Sequence, residues 1–571
     1  MKCFSFLLTS ILMTYFIDVS AQARLEVIHN SADAAASTVD IYVNGSLFLD
    51  DFAFRTTTGF VDVPSGAVLN VAVAPSTSTS VSQAIATFPL GPLASGGKYI
   101  AIASGIVSPV GYSPATPFNI DVITDARENA ESGMMNTDVI VYHGSTDAPA
   151  VDVAEVDVPA GEIVSDLSYG QSQGYLELGT ADYVLQVQEG TMNTPVAAFD
   201  APLGTLGLNG AAVTVLASGF LDPTMNSNGA SFGLFASVGV AGPLLPLPSS
   251  MSRLEVIHNA ADAAAEEVDV YLNGEMLIDN FEFRTTSGFI DAPAAMPLEI
   301  AVAAANSISV ADAIATFPVT LGSGKTYVVV ANGIVSPSGY SPAPAFNLDI
   351  FDQGREAASM MGNTDVLVYH GSTDAPAVDV AETMVGAGTI VDDISYNDFQ
   401  GYLELGTADY ELTVQDMSGI TDVASFGAPL ATLGLEGKAI TVLASGFLDP
   451  TMNSNGPAFG LWVSLGSAGS LVPLPSVTTG IVEQIMIENV NIYPNPANDV
   501  LNYSYEIVEN TSAELTILNT MGIKVYSKIL GDLKPGIYRE TIETYELPSG
   551  CYFANFVSNK GIISQKIQII K

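Results

Sequence analysis

The chain has 571 residues, a formal net charge of −44 and 48% hydrophobic residues, which is too much for one core and suits several domains. So large an acidic excess repels nucleic acid and anionic lipid and attracts cations, so nucleic acid is excluded as a partner. With two cysteines in all, Cys3 and Cys551, a disulfide framework is excluded as well.

Residues 1–23 combine one lysine, an apolar stretch from Phe4 to Ile17 and small residues at Ser20, Ala21 and Ala23. That is the layout of a cleaved secretory signal. Cleavage removes Cys3 and leaves Cys551 without an internal partner.

From Arg24 onward a single pattern recurs. Each of the four histidines is followed four residues later by aspartate: His29/Asp33, His143/Asp147, His258/Asp262 and His370/Asp374. The histidines are almost evenly spaced, and each interval between them is the size of a small domain. Within each interval come Gly before an aromatic (Gly59-Phe60, Gly174-Tyr175, Gly288-Phe289, Gly401-Tyr402), a late apolar run closed by Gly105, Gly219, Gly333 or Gly446, and Phe118, Phe232, Phe346 or Phe459 at one fixed distance further on. "RLEVIHN" at Arg24 returns at Arg253, and "ASGFLDPTMNSNG" at Ala217 returns at Ala444. The chain is therefore a duplicated two-domain unit.

The local signals are those of strands. "TVDIYVNGSLFLD" puts Val39, Ile41 and Val43 on one face and follows them with Asn44-Gly45, a favoured two-residue hairpin turn; Asn273-Gly274 repeats it. "GKYIAIASGIV" and "GKTYVVVANGIV" are short β-branched runs between turn residues. Helical periodicity is confined to "TDARENAESGMM" and "DQGREAASMM", each just ahead of the second domain of a pair. The charge-free stretch 223–252 is broken by Pro243, Pro246 and Pro248 and alternates at Phe232, Leu234, Ala236 and Val238, so it predicts a strand and no transmembrane segment. The expected fold is all-β: tandem antiparallel immunoglobulin-like sandwiches over 24–135, 136–250, 251–362 and 363–476, arranged as a rod or a pair of pairs.

These residues, the "VIH" or "VYH" strand, "SxDAPAVDVY" and "ASGFLDPxxNxNGPAFGL", resemble the secreted bacterial domains called domain of unknown function 4397. The resemblance runs from Arg24 to Ser476 and is stronger in the even copies, because "DAAAST" replaces "DAPA" in the odd ones. It implies a β-sandwich and an extracellular setting, and no activity.

Beyond a linker at 477–488, residues 489–571 form a different domain. Charge changes there: 9 basic against 50 acidic residues between Arg24 and Gly480, then 7 against 10 from Ile481. Tyr493-Pro494-Asn495-Pro496, the hairpin with Gly522, and Leu547-Pro548-Ser549-Gly550 with the terminal "KIQIIK" resemble the type-A C-terminal sorting domain of the type IX secretion system. The resemblance implies a small sandwich that addresses the chain to the secretion machinery. Cys551 is expected in buried packing.

The His/Asp pattern is expected to be structural, with Asp closing a turn on backbone N–H groups and His bonded near a strand end. Asp222, Asn226 and Asn228, repeated as Asp449, Asn453 and Asn455, offer oxygen ligands of the kind calcium takes, and no other cofactor is expected. Gly229-Ala-Ser231-Phe-Gly233 fits a nucleophile elbow, but its duplicate has Ala458 in place of the serine, and the context is a strand. Tyr112 and Tyr340 are the candidate contact aromatics; Trp462, opposite Phe235, reads as packing. Arg55 and Arg284 call for an internal salt bridge. These observations predict a secreted or cell-surface protein, no catalytic residues and no enzyme activity, with a non-catalytic role in adhesion or matrix association. Its partner would be an extracellular polysaccharide or surface protein. A glycan-binding accessory module or a surface-layer protein is the alternative, ahead of a carboxylate-based hydrolase.

Overall fold

The computed structural model describes residues 22–571, apart from 109, 159–160, 191, 337, 478–486, 508–509, 521 and 559–560. Residues 1–21, most of the expected signal segment, and most of the expected linker at 477–488 lie outside the described residues. The described chain is all-β, with three-residue 3-10 turns as its helical elements. It divides into two compact units, Met1–Ser250 and Met251–Lys571.

In the first unit, residues 22–123 form a sandwich. One sheet holds Ser46–Ala53, Thr38–Val43, Leu69–Pro75 and Ala86–Leu90; the other centres on Gln22–His29, flanked by Thr56–Pro64 and Lys98–Ser104. The Asn44-Gly45 turn has φ of 50° and 87°, the left-handed pair that a tight hairpin needs. Most pairings are antiparallel, but Gln22–His29 runs parallel to Lys98–Ser104, because the chain crosses to the other sheet and back between them. Residues 136–246 repeat the plan with Asn136–His143 parallel to Ala212–Ser218.

The two sandwiches of the unit share a third core. Ile28, Ile100 and Ile102 of the first pack against Ile140, Tyr142 and Leu216 of the second, with Leu244, Phe60 and Phe235 closing the layer. The sheets that meet are thus buried on both faces, and this is why "YIAIAS" and "AVTVLAS" are continuous apolar runs. The charge-free stretch also gets its explanation. After Gly233–Ser237, the segment Val240–Pro243 leaves its own sandwich and adds an edge strand to Thr56–Pro64 of the first, then Leu245–Pro246 returns.

The second unit repeats this arrangement. Ile257, Val328 and Val330 pack on Leu367, Tyr369 and Leu443, and Ser467–Ser470 crosses to pair with Thr285–Pro293. Residues 487–571 make a separate sandwich of three and four strands around Leu501, Tyr503, Leu515, Phe556 and Ile567. Among the described residues no helix is long and apolar enough to cross a membrane.

Two expectations need correction. The stretches "TDARENAESGMM" and "DQGREAASMM" are turns and bends, not helices. The buried Asp138 carboxylate takes the Glu131 N–H (2.8 Å), the Ser132 hydroxyl and the Arg127 guanidinium (2.5 Å), and these bonds compete with a helix for the backbone. Asp365 does the same with Ser359 N–H (2.7 Å) and Arg355 (2.5 Å). Cys551 is half-buried, because the alternation that buries Tyr552, Ala554 and Phe556 turns it to the opposite face.

Gly59, at φ +59°, holds the crossing strand closely: a Cβ there would lie 2.7 Å from the Gly239 carbonyl oxygen and 2.8 Å from the Ala241 nitrogen. Gly45, also at positive φ, has nothing within 4 Å. Gly59→Ala is therefore expected to cost roughly 2–4 kcal/mol in urea unfolding, against about 1 for Gly45→Ala. It should also speed proteolytic cutting between Gly239 and Leu247; equal behaviour of the two variants would show that the crossing strand is not held at this point.

Candidate functional site

The His/Asp pattern bonds within each sandwich, while the arginines, the tyrosines, Asn226 and Asn453 reach across to the other sandwich of the pair. In the odd copies the histidine ring is saturated: His29 Nε2 donates to the Ala36 carbonyl at 2.7 Å and Nδ1 accepts from the Ser31 N–H at 3.3 Å. His258 bonds Ala265 and Ala260 in the same way. Asp33 does not touch its histidine's nitrogens. Its carboxylate caps the Ala35 N–H at 2.9 Å and takes the Val107 and Ser108 N–H groups at 2.7 and 2.6 Å, and Asp262 takes Ala264, Val335 and Ser336. Each aspartate ties the turn after the first strand to the loop after the parallel strand.

In the even copies the aspartate reaches the supposed calcium loop. Asp147 accepts the N–H groups of Leu221 and Asp222 at 2.9 Å each and the Asn226 side-chain amide at 3.0 Å; Asp374 repeats this with Leu448, Asp449 and Asn453. Asn226 is fully buried, and its Oδ1 accepts the Ser113 N–H from the first sandwich at 3.0 Å. Asn453 does so with Ser341 at 2.9 Å. Asp222 and Asp449 cap short 3-10 turns by accepting from Thr224 and Thr451. Asn228 and Asn455 hold left-handed turn positions, at φ 51° and 53°. The Oδ1 atoms of Asp222, Asn226, Asp449 and Asn453 are committed to the chain's own donors, and among the described residues no group of three or more His, Cys, Asp or Glu is placed to hold a metal ion.

Tyr112 and Tyr340 belong to the same joint. The Tyr112 hydroxyl accepts the Ala34 N–H at 3.0 Å while its ring lies 5.7 Å from that of Phe220, and Tyr340 pairs likewise with Ala263 and Phe447. Both rings are half-buried against the neighbouring sandwich rather than presented to solvent.

Among the described residues Arg55 and Arg284 make no salt bridge, contrary to expectation. The Arg55 guanidinium lies 3.9 Å from the Phe235 ring centroid and donates to the Ser218 hydroxyl and to the Ser218 and Ser231 carbonyls at 2.8–3.1 Å. Arg284 sits 4.1 Å from Trp462 and donates to Ser445 and the Ala458 carbonyl. An aromatic face and carbonyl dipoles carry the charge without a carboxylate, and burial lowers each guanidinium to about 10. Because the backbone carbonyl of residue 231 or 458 accepts, alanine replaces serine there without loss. The odd copy supplies the arginine and the even copy the ring, which is why "FRTT" is missing from the even copies.

Two residues of the joint lie in the repeated "RLEVIHN", but the sequence assigns them no role. Glu26 and Glu255 are buried carboxyls facing hydroxyls, not cations: Glu26 accepts from Thr57 at 2.6 Å and from Ser237 of the second sandwich, and Glu255 from Thr286 and Ser464. Burial pushes both carboxyls above the usual range. Glutamate within an apolar strand, two residues after Arg24 or Arg253, was their only trace in the sequence.

In the C-terminal sandwich the first sorting motif sits beside the terminal strand. The Asn495 side chain donates to the Lys566 carbonyl and accepts the Gln568 N–H, both at 2.9 Å, while Tyr493 is exposed. Gly522 turns at φ +76°, Leu547 packs on the core, the Pro548 carbonyl accepts the Tyr552 hydroxyl at 2.9 Å, and Gly550 begins the penultimate strand. Pro494 and Pro496 flank Asn495.

Residues 23–154 and 252–381 match the family described as domain of unknown function DUF4397, and residues 491–571 match the secretion system C-terminal sorting domain. The chain thus carries two regions that match this family and a terminal region that matches the sorting domain. Both DUF4397 matches cover an odd copy and run only into the second strand of the following even copy, whereas the stronger likeness was expected in the even copies. No curated protein matches the chain. Similar solved structures include SGBP-B of the Bacteroides ovatus mixed-linkage glucan utilization locus, in complex with a mixed-linkage heptasaccharide (14% identity, TM-score 0.10, 55% of this chain and 65% of that one). PorZ, a surface component of the type IX secretion system of Porphyromonas gingivalis, shares 11% identity (TM-score 0.14, 90% and 80%), and latent PorU of the same organism shares 11% (TM-score 0.13, 85% and 42%). This chain thus spans a little under two thirds of SGBP-B, and likenesses of this order carry no argument about function.

The DUF4397 joint predicts a pH response with opposing parts. Burial lowers His29 and His258 to about 4. A ring whose folded pKa is depressed contributes stability above its unfolded value near 6.5 and loses it as pH falls, by about 3 kcal/mol per ring once pH is below 4. The raised Glu26 and Glu255 act oppositely: their contribution is present below the unfolded value and lost as pH rises through the folded one. Glu26→Gln, which keeps an acceptor for Thr57 and Ser237, should therefore leave stability at pH 8 equal or higher and narrow its advantage toward pH 4. Urea midpoints across that range check both signs. Arg55→Lys, which lacks the planar fork, should cost roughly 2 kcal/mol at pH 7; a change below about 0.5 kcal/mol, the ordinary scale of a surface substitution, would count against the role given to the guanidinium.

Proposed function

We propose that the two pairs of this chain, which its sorting domain marks as secreted or cell-surface, act as a non-catalytic interaction protein, holding to an extracellular polysaccharide or a surface protein. One observation carries this reading: the aspartates, arginines and tyrosines of the repeated pattern, with Asn226 and Asn453, are engaged by the chain's own groups, within a sandwich or across the joint, in the same way in both pairs. The repeated pattern then maintains a rigid scaffold and leaves binding to the surfaces that the scaffold displays. Two copies on one chain favour avidity, in which weak contacts add as long as both are engaged at once.

Glycan recognition through stacked aromatics is the less favoured form of this reading. Tyr112, Tyr340 and Trp462 are turned to the joints, so a polysaccharide would have to meet the acidic outer faces. Calcium enters as a bridging ion between those faces and the partner, more than as a resident of the Asp222 and Asp449 loops, whose oxygens cap backbone donors.

The test is a pull-down of the secreted chain on insoluble polysaccharides and cell-surface fractions, with calcium and chelator lanes and with increasing ligand density. Saturable retention that steepens with density is the expected result. Absence of retention in every lane, together with self-association of the chain, would replace this reading with that of a structural coat. Loss of retention in the chelator lane alone would assign calcium to the contact.

A further inference from the structure

The loops of each pair divide between two ends. In the first unit Gln22–His29 and Asn136–His143 finish side by side, since the Asn30 amide donates to the Ala217 carbonyl at 3.2 Å and the Ser227 hydroxyl to the Gly111 carbonyl at 2.9 Å. Strand register places the turns after Leu69–Pro75 and Asp182–Glu189 at this same end, because Pro75 faces Val39 and Glu189 faces Val151. The second unit repeats the geometry, with Ala304 opposite Val268 and Asp416 opposite Val378.

This end displays apolar side chains that the cores do not take. Val81, Met192, Leu221 and Met225 are exposed in the first pair. In the second, Ile308 is 92% exposed and Ile420 82%, with Met417, Leu448 and Met452 exposed as well. Isoleucine, leucine and methionine are ordinarily among the most buried residues, and apolar groups clustered on surface loops mark interaction sites. The even-copy hairpins differ in sequence, "EGTMNT" against "DMSGIT", yet each presents a methionine to solvent.

Charge separates this end from the other. Of the basic residues between Arg24 and Gly480, Arg55 and Arg284 are held in the joints. Arg24, Lys98 and Arg127 of the first pair lie at the opposite end, near the starts of the paired strands, and so do Arg253, Lys325, Arg355 and Lys438 of the second. The exposed charges at the apolar end are acids, among them Asp222 in the first pair and Asp312, Asp398 and Asp449 in the second. Among the described residues no aromatic ring is exposed there, so a sugar ring finds no face to stack on. Methionine is exposed at the opposite end too, as Met134 and Met361, but in loops that carry the Arg127 and Arg355 ion pairs.

We propose that the apolar, acidic end of each pair is its binding surface, and that the occupant is a protein surface of aliphatic side chains bordered by lysine or arginine. Acids without a neighbouring cation repel anionic partners and draw cationic ones. Methionine side chains adapt to aliphatic groups without imposing one shape. The inference rests on the reading of the pairs as an interaction protein, and it names the surface and the chemistry of the partner.

The probe is a fluorescent amphipathic peptide of leucine and lysine, titrated into the full secreted chain at physiological salt beside a peptide of serine and lysine with equal charge. Saturable binding at one site per pair is expected, about tenfold tighter for the leucine peptide. Met417→Ser with Ile420→Ser should remove the site of the second pair, and Met192→Ser with Met225→Ser that of the first; all these positions are exposed, so the fold is kept. Met361→Ser, at the opposite end, should leave both sites intact. Equal binding of the two peptides, or equal loss on Met361→Ser, would show cations gathered by the acidic chain at large and overturns the proposal. The variant with all four serines at the apolar ends is also carried through the pull-down on polysaccharides and cell-surface fractions. Its retention on cell-surface fractions should fall about tenfold or more. Unchanged retention there overturns the surface assigned here while the interaction reading stands; no retention of the parent chain undoes that reading and this inference with it. Loss of retention on a polysaccharide alone gives the end to a glycan and overturns the protein partner.

Discussion

Within each pair, everything else depends on burying the outer faces of two sheets against each other. Ile28, Ile100 and Ile102 on one side and Ile140, Tyr142 and Leu216 on the other would otherwise form an exposed apolar face larger than soluble domains tolerate. The crossing strands Val240–Pro243 and Ser467–Ser470 extend the same constraint to the backbone, since each covers a sheet edge that would otherwise present unpaired N–H and C=O groups. A pair is therefore the stable body, and a lone repeat would expose both a face and an edge.

That constraint explains how so acidic a chain carries buried polar groups at no evident disadvantage. Charge inside a joint is met by dipoles: Arg55 by carbonyls and a ring, Asp33 and Asp147 by backbone N–H groups, Glu26 by two hydroxyls. Each arrangement satisfies the group where it stands, and those of Arg55 and Glu26 also fix one register between sandwiches, a specificity that further aliphatic burial would not supply. Some ion pairs lie toward the rim, as with Arg24 between Asp62 and Glu128, where solvent screens them and their energetic weight is small, whereas Arg127 and Arg355 each reach a fully buried carboxylate, Asp138 or Asp365.

Much of this was legible in the sequence, and the gaps have physical causes. Strand character, the Asn44-Gly45 and Asn273-Gly274 turns and the sorting sandwich follow from local spacing. The recurrent Gly105, Gly219, Gly333 and Gly446 stood out as repeats, but only coordinates show why: a Cβ at Gly219 would collide with the Ser231 carbonyl. The helix expected over "TDARENAESGMM" failed because Asp138, beyond the segment itself, captures its backbone. The salt bridge expected for Arg55 failed because its aromatic partner, Phe235, lies in the next sandwich and leaves no local charge signature. Glu26 was passed over because a carboxyl bonded to hydroxyls has no spacing rule to find it by.

The odd and even copies are complementary instead of equivalent, and this decides which sandwich can pair with which. Asn30 fills the space that Gly144 leaves free, where a Cβ would collide with its amide nitrogen, and Asn259 does the same at Gly371. An odd–odd pair would bring two asparagines to one place and bury two arginines without a ring. An even–even pair would leave a void at both glycines and Phe235 or Trp462 without a cation. Both mismatches cost more than the apolar layer alone could distinguish, so the polar contacts select the partner while the aliphatic contacts hold it. A repeat of this kind can be multiplied only as a pair, and the nearly equal steps from Arg24 to Arg253 and from Ala217 to Ala444 are the length of that unit.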